Sequence, residues 1–271
     1  MRAYRVAYDG RAYHGFQRQP DVPTVADAVL DALRALDVLD ADADVPPGYA
    51  AAGRTDAGVS ALAQTVAFRA PDWLTPAAFN SELPADVRAW ASADVPDDFH
   101  ATHDAAARAY VYHLHAPRPA IDDQRAREPL ERLGGERDFH NLTPDETGTV
   151  RDLDGALRRD GEFLVVRLES DGFPRQFVRR VVSLVHAVGR GERDRAAVDR
   201  VLAPEPLPGP EGVPPAPAAG LVLADVEYPG VEFTADPDAV ASARAVFRDR
   251  RVERATGARV AETVERGLDG P

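Results

Sequence analysis

The hydrophobic positions along the chain change period several times, and each change marks an element. Tyr4, Val6 and Tyr8 alternate with other residues, which predicts an opening strand over residues 3–8, closed by the turn pair Asp9-Gly10. Thr24 followed by Asp27 resembles a capping box. Val25, Ala28, Val29, Ala32, Leu33 and Leu36 then recur at helical spacing, predicting an amphipathic helix that ends near Asp37. Beyond Pro46-Pro47, a short apolar run over 49–52 leads through a loop at 53–58 into a strand with Leu62, Gln64, Val66 and Phe68 on one side. Further strands are predicted over 87–91, 108–115, 163–169 and 221–228, and a mostly apolar helix over 174–188. A proline-rich loop covers 204–217. From Asp236 onward the pattern is helical and charged, with a frayed end at 267–271.

This order mixes strands, hairpins and helices without a repeat of fixed period. Each half has strands flanking one main helix, so the pattern predicts an α+β sandwich of sheet and helices, not a doubly wound parallel fold. The polar, proline-bearing segment Asp94-Val95-Pro96-Asp97-Asp98 is the candidate boundary. It divides the chain into α+β domains over 1–103 and 104–231, followed by a helical extension over 232–271. Val240, Ala243, Val246 and Phe247 share one stripe of that extension, which predicts an amphipathic helix packed on the domain surface.

Composition narrows the chemistry. With 271 residues, 44% of them apolar and 28% charged, the chain can bury two ordinary cores. No run of 18 apolar residues and no signal-like N-terminus is present, so a cytosolic, cytoplasmic protein is expected, without a membrane partner. The absence of cysteine excludes thiolate chemistry and cysteine-ligated metal sites. All 32 basic residues are arginine, which removes lysine Schiff bases and phosphate-loop lysines. Against 45 acidic residues they leave a net charge of −13. Such an acidic, lysine-free chain suits a halophilic source, where salt screens carboxylate repulsion, and a GC-rich genome gives a similar bias. A global negative charge still permits a local arginine-lined cleft that binds phosphate.

Three clusters could carry chemistry. In Ala52-Gly53-Arg54-Thr55-Asp56-Ala57-Gly58-Val59, two glycines bracket an arginine and a carboxylate in a short loop between strands. Glycine admits positive φ and close ligand approach, and an aspartate beside an arginine favours its charged form. That suits an anion or nucleophile; a plain turn with a surface ion pair is the simpler alternative. Tyr110 and Tyr112 share one face of their strand and could stack a base or cover a core, while His113 and His115 share the other face. Two histidines without a third ligand at fixed spacing do not make a metal site, and no metal is expected. Arg175, Arg179 and Arg180 open the second helix, with Arg175 and Arg179 at i, i+4 on its narrow polar stripe. An arginine on a mostly buried helix needs an anion, either an internal carboxylate such as Asp56 or a substrate phosphate.

Together these segments resemble the tRNA pseudouridine synthase A family over about residues 3–229. The resemblance rests on Tyr8-Asp9-Gly10, on Tyr13-His14-Gly15-Phe16-Gln17-Arg18-Gln19, and above all on the eight residues around Asp56. Leu83-Pro84, Asp86-Val87-Arg88, the run Pro96 to Ala101, Ala107-Arg108-Ala109-Tyr110-Val111-Tyr112, Phe177-Val178-Arg179, and the closing Ala218-Ala219-Gly220-Leu221 with Val226-Glu227-Tyr228 extend it. Thr102 stands where the family usually carries arginine, Pro174 and Ser183 replace a common leucine and glycine, and the segment after Pro229 has no counterpart in the usual pattern.

The resemblance implies a pseudouridine synthase fold: two RRM/ferredoxin-like halves forming a mixed, mostly antiparallel sheet with flanking helices and a central cleft. It implies isomerisation of uridine to pseudouridine at positions 38, 39 and 40 of the tRNA anticodon stem and loop, without cofactor, by a halophilic archaeal homodimer. Asp56 would then be the nucleophile, Tyr110 the residue that stacks on the flipped base and serves in proton transfer, and Arg179 the partner that aims Asp56. Arg54 and Thr55 would contact substrate, with Arg54 filling the gap left by the flipped base. The alternative is a non-catalytic RNA-binding module. A glycoside hydrolase would need a second carboxylate about 5 to 9 Å from Asp56, where the loop offers arginine.

Overall fold

A computed structural model describes residues 1–209 and 212–268. Its centre is one sheet of ten strands: β1 (Arg2–Tyr8), β2 (Ala50–Ala51), β3 (Ser60–Phe68), β4 (Val87–Asp94), β5 (Ala107–His115), β6 (Gly135–Asp138), β7 (Val150–Asp160), β8 (Phe163–Ser170), β9 (Leu221–Glu227) and β10 (Thr234–Ala235). The spatial order is β10-β4-β1-β3-β9-β5-β8-β7-β6, with β2 paired to β3 off this path. All pairings are antiparallel except β3 with β9, where Ser60 and Ala61 face Val222 and Leu223. The closing strand therefore joins the two halves: β9 runs beside β3 of the first and antiparallel to β5 of the second.

Among the described residues six α-helices accompany the sheet: α1 (Val25–Ala35), α2 (Pro76–Phe79), α3 (Asp123–Leu133), α4 (Phe177–Gly189), α5 (Arg195–Val201) and α6 (Pro237–Leu268). Two cores result. One gathers α1 with Tyr4, Tyr8, Phe16, Phe68 and Phe79, and draws in Leu223 and Val226 from β9 and Tyr228 just after it. The other gathers the apolar face of α4 with Tyr112, Leu130, Phe139, Leu164 and Val166. No helix among the described residues is long and apolar enough to cross a membrane.

Local chemistry explains the boundaries. Thr24 caps α1, its hydroxyl accepting from the Asp27 N–H at 3.2 Å, as the capping-box pattern requires. The predicted face of β3 fails at one position: Gln64, Val66 and Phe68 are buried, but Leu62 is 52% exposed. A bulge explains this, because Val6 pairs with Gln64 while Tyr8 pairs with Ala61, so β3 carries an extra residue that turns Leu62 outward. The second helix starts at Phe177 and not at 174, because Gln176 adopts φ 61° and breaks the helical run. Arg175 consequently lies outside α4 and binds Asp145 (3.0 Å), so it shares no helical stripe with Arg179.

The expected stripe of the C-terminal helix is the covered one, with Ala243 buried and Val240, Val246 and Phe247 half-buried, but the helix departs from expectation beyond it. Only Ala239 and Ala243 of α6 are buried, and residues 251–268 stand exposed except for Glu262, which Arg259 and Arg266 cover in part. The helix stays in contact with the body as far as Arg254, whose guanidinium reaches Asp9, and then runs on past it. It continues through Leu268, so residues 267 and 268 of the expected frayed end are helical, and 269–271 lie outside the described residues.

Candidate active site

Asp56 sits on the loop joining β2 to β3. The loop is a turn closed by Val59 N–H donating to the Asp56 carbonyl (3.1 Å), with Gly58 at φ 80°, a conformation that a residue with a Cβ adopts only with strain. Its neighbour Thr55 is buried, and its hydroxyl shares a 2.7 Å hydrogen bond with the buried Tyr8 hydroxyl at the end of β1. Gly53 accepts from Gln64 Nε2 at 2.8 Å. The segment before α1 lies directly against this turn: Phe16 N–H donates to Thr55 O (3.1 Å) and Gly58 N–H to Tyr13 O (3.2 Å). Backbone rigidity at both ends thus fixes where the Asp56 carboxylate points.

The second half supplies the counter-charge. Arg179, on the first turn of α4, donates through Nε to Ala216 O (2.6 Å) and through Nη1 to Asp56 Oδ2 (3.1 Å). A cation at a helix N-terminus stands against the helix dipole, so this placement relies on the carboxylate across the cleft. Arg180 donates to Val213 O (2.7 Å), so the two neighbouring arginines lace the 213–216 segment to α4. The Arg179 side chain is 16% exposed and that of Asp56 32%, which leaves the carboxylate reachable from the cleft while its partner is fixed.

Tyr110 of β5 lines the same cleft. Its ring meets Phe173 edge-on, with centroids 5.1 Å apart and planes at 88°. Burial, with a further push from the Asp56 charge against the pull of Arg108, moves its hydroxyl up to about 12, so the phenol keeps its proton at neutral pH. Tyr112, two residues on, is fully packed in the second core and donates to Pro217 O (2.8 Å); of the tyrosine pair only Tyr110 borders the cleft. His113 and His115 are exposed on the far side, and no group of three potential metal ligands occurs among the described residues.

The cleft measures about 1460 Å³ and opens between α1 with the Asp56 loop on one side and the 171–179 segment on the other. Its lining includes Arg18, Arg54, Arg108, Arg151, Arg175 and Arg179 against Asp56, Asp145 and Asp171. In a chain whose carboxylates outnumber its arginines 45 to 32, this reversal concentrates positive charge where Asp56 lies. Arg54 is exposed at the rim, whereas the Thr55 side chain turns inward to Tyr8. Thr102 also borders the cleft, its hydroxyl donating to Ala51 O (2.6 Å).

Sequence reasoning gave Arg108 no role. Its guanidinium donates to Ala52 O (2.9 Å), Thr102 O (2.7 Å) and Asp171 O (2.7 Å), tying the start of the Asp56 loop to the end of β8. The available signal was a charged residue at the start of an otherwise apolar and aromatic strand. Phe173, against Tyr110, left no signal, because it lies in an irregular segment.

A large mixed sheet with helices on both halves and an arginine-lined cleft fits the pseudouridine synthase class. A family model described as tRNA pseudouridine synthase matches residues 130–229. Proteins named tRNA pseudouridine synthase A match over nearly the whole chain. That of Haloarcula marismortui is 59% identical over 99% of this chain and 100% of its own length. That of Natronomonas pharaonis is 59% identical over 96% and 97%, and that of Methanocella arvoryzae 38% identical over 86% of each. Among solved structures, an archaeal box H/ACA Nop10-Cbf5 complex aligns at 16% identity and a TM-score of 0.33, over 66% of this chain and 45% of that one. The chain belongs to the tRNA pseudouridine synthase A family.

Proposed function

We propose that the protein isomerises uridine to pseudouridine at positions 38, 39 and 40 of the tRNA anticodon arm, with Asp56 as the reacting carboxylate. The observation that carries this reading is the Asp56 carboxylate held by Arg179, with Tyr110 lining the same arginine-rich cleft. In the reaction the N1–C1′ bond of the nucleotide breaks, the base turns, a C5–C1′ bond forms, C5 gives up its proton and N1 gains one. The target base must leave its stack, at a cost of a few kcal/mol, and Arg54 at the exposed rim is placed to fill or steer the gap.

Asp56 initiates the bond cleavage, by addition at C1′ or at C6 or by removal of the 2′ proton. Arg179 holds the carboxylate in register through its 3.1 Å contact. Tyr110 stacks on the flipped uracil, and its hydroxyl, protonated at neutral pH, relays the C5 proton by accepting it as its own proton passes to the released Asp56 carboxylate. The arginines of the cleft take the flanking phosphates, by shape and bidentate geometry more than by net charge. The enzyme works in the cytoplasm as a homodimer with one tRNA spanning both subunits.

Tritium release from tRNA carrying 5-tritiated uridine, in molar potassium chloride, tests the activity, because C5 loses its hydrogen in the product. Release by the wild type with sequence mapping to 38–40 supports the reading. Bound tRNA without release would support a non-catalytic RNA-binding module.

A further inference from the structure

Asp9, at the end of β1, is a buried carboxylate whose side chain is only 6% exposed. A buried anion needs a cation, and this one receives two from more than 240 residues away: Arg254 donates directly to Oδ2, and Arg250 Nη1 lies 3.6 Å from the same oxygen. Arg250 also reaches Asp86 through Nη2 at 3.5 Å, and Asp86 accepts from the Tyr13 hydroxyl at 2.8 Å. Asp9 N–H donates to the Asp86 carbonyl at 3.0 Å. Two aspartates, two arginines of α6 and one tyrosine therefore clamp residues 9–13 from one side.

The other side of this segment supports the Asp56 turn. Gly10 N–H donates to Ser60 Oγ (3.1 Å), and a Cβ on Gly10 would collide with the Val59 carbonyl. Tyr13 O accepts from Gly58 N–H, and a Cβ on Gly15 would lie 2.7 Å from Thr55 O. One layer of backbone thus separates the α6 arginines from the loop that presents Asp56.

We propose that Arg250 and Arg254 are positioning residues: through Asp9 and Asp86 they hold the 9–16 segment against the Asp56 turn, so that α6 sets the aim of the reacting carboxylate. The inference rests on Asp56 reacting as proposed above. The anchoring residues Ala239 and Ala243 lie about two turns or more before these arginines, so loss of the ion pairs leaves the docked part of the helix in place. Because Asp9 is buried, the clamp resists screening by the salt that weakens exposed pairs.

The test uses the full chain with the double variants R250Q/R254Q and R250K/R254K in molar potassium chloride. Hydrogen exchange at the amides of Phe16, Gly58 and Val59 reads the loop whether or not the protein turns over. In R250Q/R254Q these amides are expected to exchange about ten-fold faster or more, with β5 and β8 unchanged. Tritium release should show kcat reduced about ten-fold with KM for tRNA within about two-fold, and R250K/R254K should recover most of the rate. Unchanged exchange at Gly58 and Val59 overturns the proposal, as does a variant whose loss lies in KM with kcat intact. Failure of the wild type to release tritium would instead sink the assigned reaction, and the exchange measurement would still decide the clamp.

Discussion

Arg179 Nη1 lies 3.1 Å from Asp56 Oδ2, a contact between residues 123 positions apart that joins the two halves of the molecule. The site proposed here needs both halves, because the first contributes the Asp56 anion and the second the Arg179 cation that contacts it. Replacing Arg179 with alanine is expected to lower kcat about 10²-fold, since a misplacement of about 1 Å costs that much. Arginine-to-lysine at 179 should retain only part of the rate, because the Ala216 carbonyl and the carboxylate are reached by different nitrogens of one planar group. Equal rates for wild type and R179A in single-turnover tritium release would contradict the role.

Asp56→Asn removes the anion to which the reaction is assigned under the proposal, and few RNA contacts. Turnover is expected to fall about 10³-fold or more while tRNA binding by filter retention stays within about two-fold. Normal product formation by this variant would remove Asp56 from the chemistry.

Tyr110→Phe keeps the ring that meets Phe173 and deletes the hydroxyl. A rate loss of about 10²-fold with unchanged thermal stability is expected if the hydroxyl moves a proton. Because burial holds this phenol up to about 12, no alkaline limb belonging to Tyr110 should appear in the kcat profile below that pH. A Tyr110-dependent limb near pH 10 would show a solvated phenol instead.

Gly10→Ala places a methyl group against the Val59 carbonyl, in a backbone that cannot move without shifting the Asp56 turn. The variant should lose about 1–3 kcal/mol of stability by overpacking and should also turn over more slowly. Chemical denaturation alongside tritium release measures both; a fully stable, fully active variant would show that the turn has slack.

Acid stability should report a pair far from the cleft. The Arg159 guanidinium hydrogen-bonded to Asp123 lowers the Asp123 carboxyl below its ordinary value, and Asp123 also opens α3, where the helix dipole favours an anion. A lowered folded-state value means the stabilisation is full above about pH 4 and is lost as pH falls through the folded value. Asp123→Asn should therefore cost about 1–2 kcal/mol at neutral pH after screening, with the gap to wild type closing in strong acid. A gap independent of pH would exclude this linkage.

Much of the site was legible before folding because its signals are local. A glycine-bracketed Arg-Thr-Asp between two strand patterns can be read from adjacent residues, since a tight turn restricts residue type one position at a time. The strand of Tyr110 and the apolar face of α4 follow from period alone. Arg175 shows where that logic stops: its spacing from Arg179 was right for a helix, but Gln176 turned left-handed and gave Arg175 to Asp145. Leu62 is a similar case, because a single bulge inverts a face that alternation had assigned.

The amino-acid sequence by itself determined the opening strand, the first helix and its cap, the loop around Asp56, the lysine-free acidic surface and the resemblance to one enzyme family. Those features depend on neighbours within a turn or two, or on composition. The tertiary structure alone decided that β9 lies between β3 and β5, that Thr55 turns inward to Tyr8, and that α6 grips Asp9. Each of those depends on groups far apart in the chain that meet only when the sheet closes, and pairing at long range leaves no period for a sequence to display.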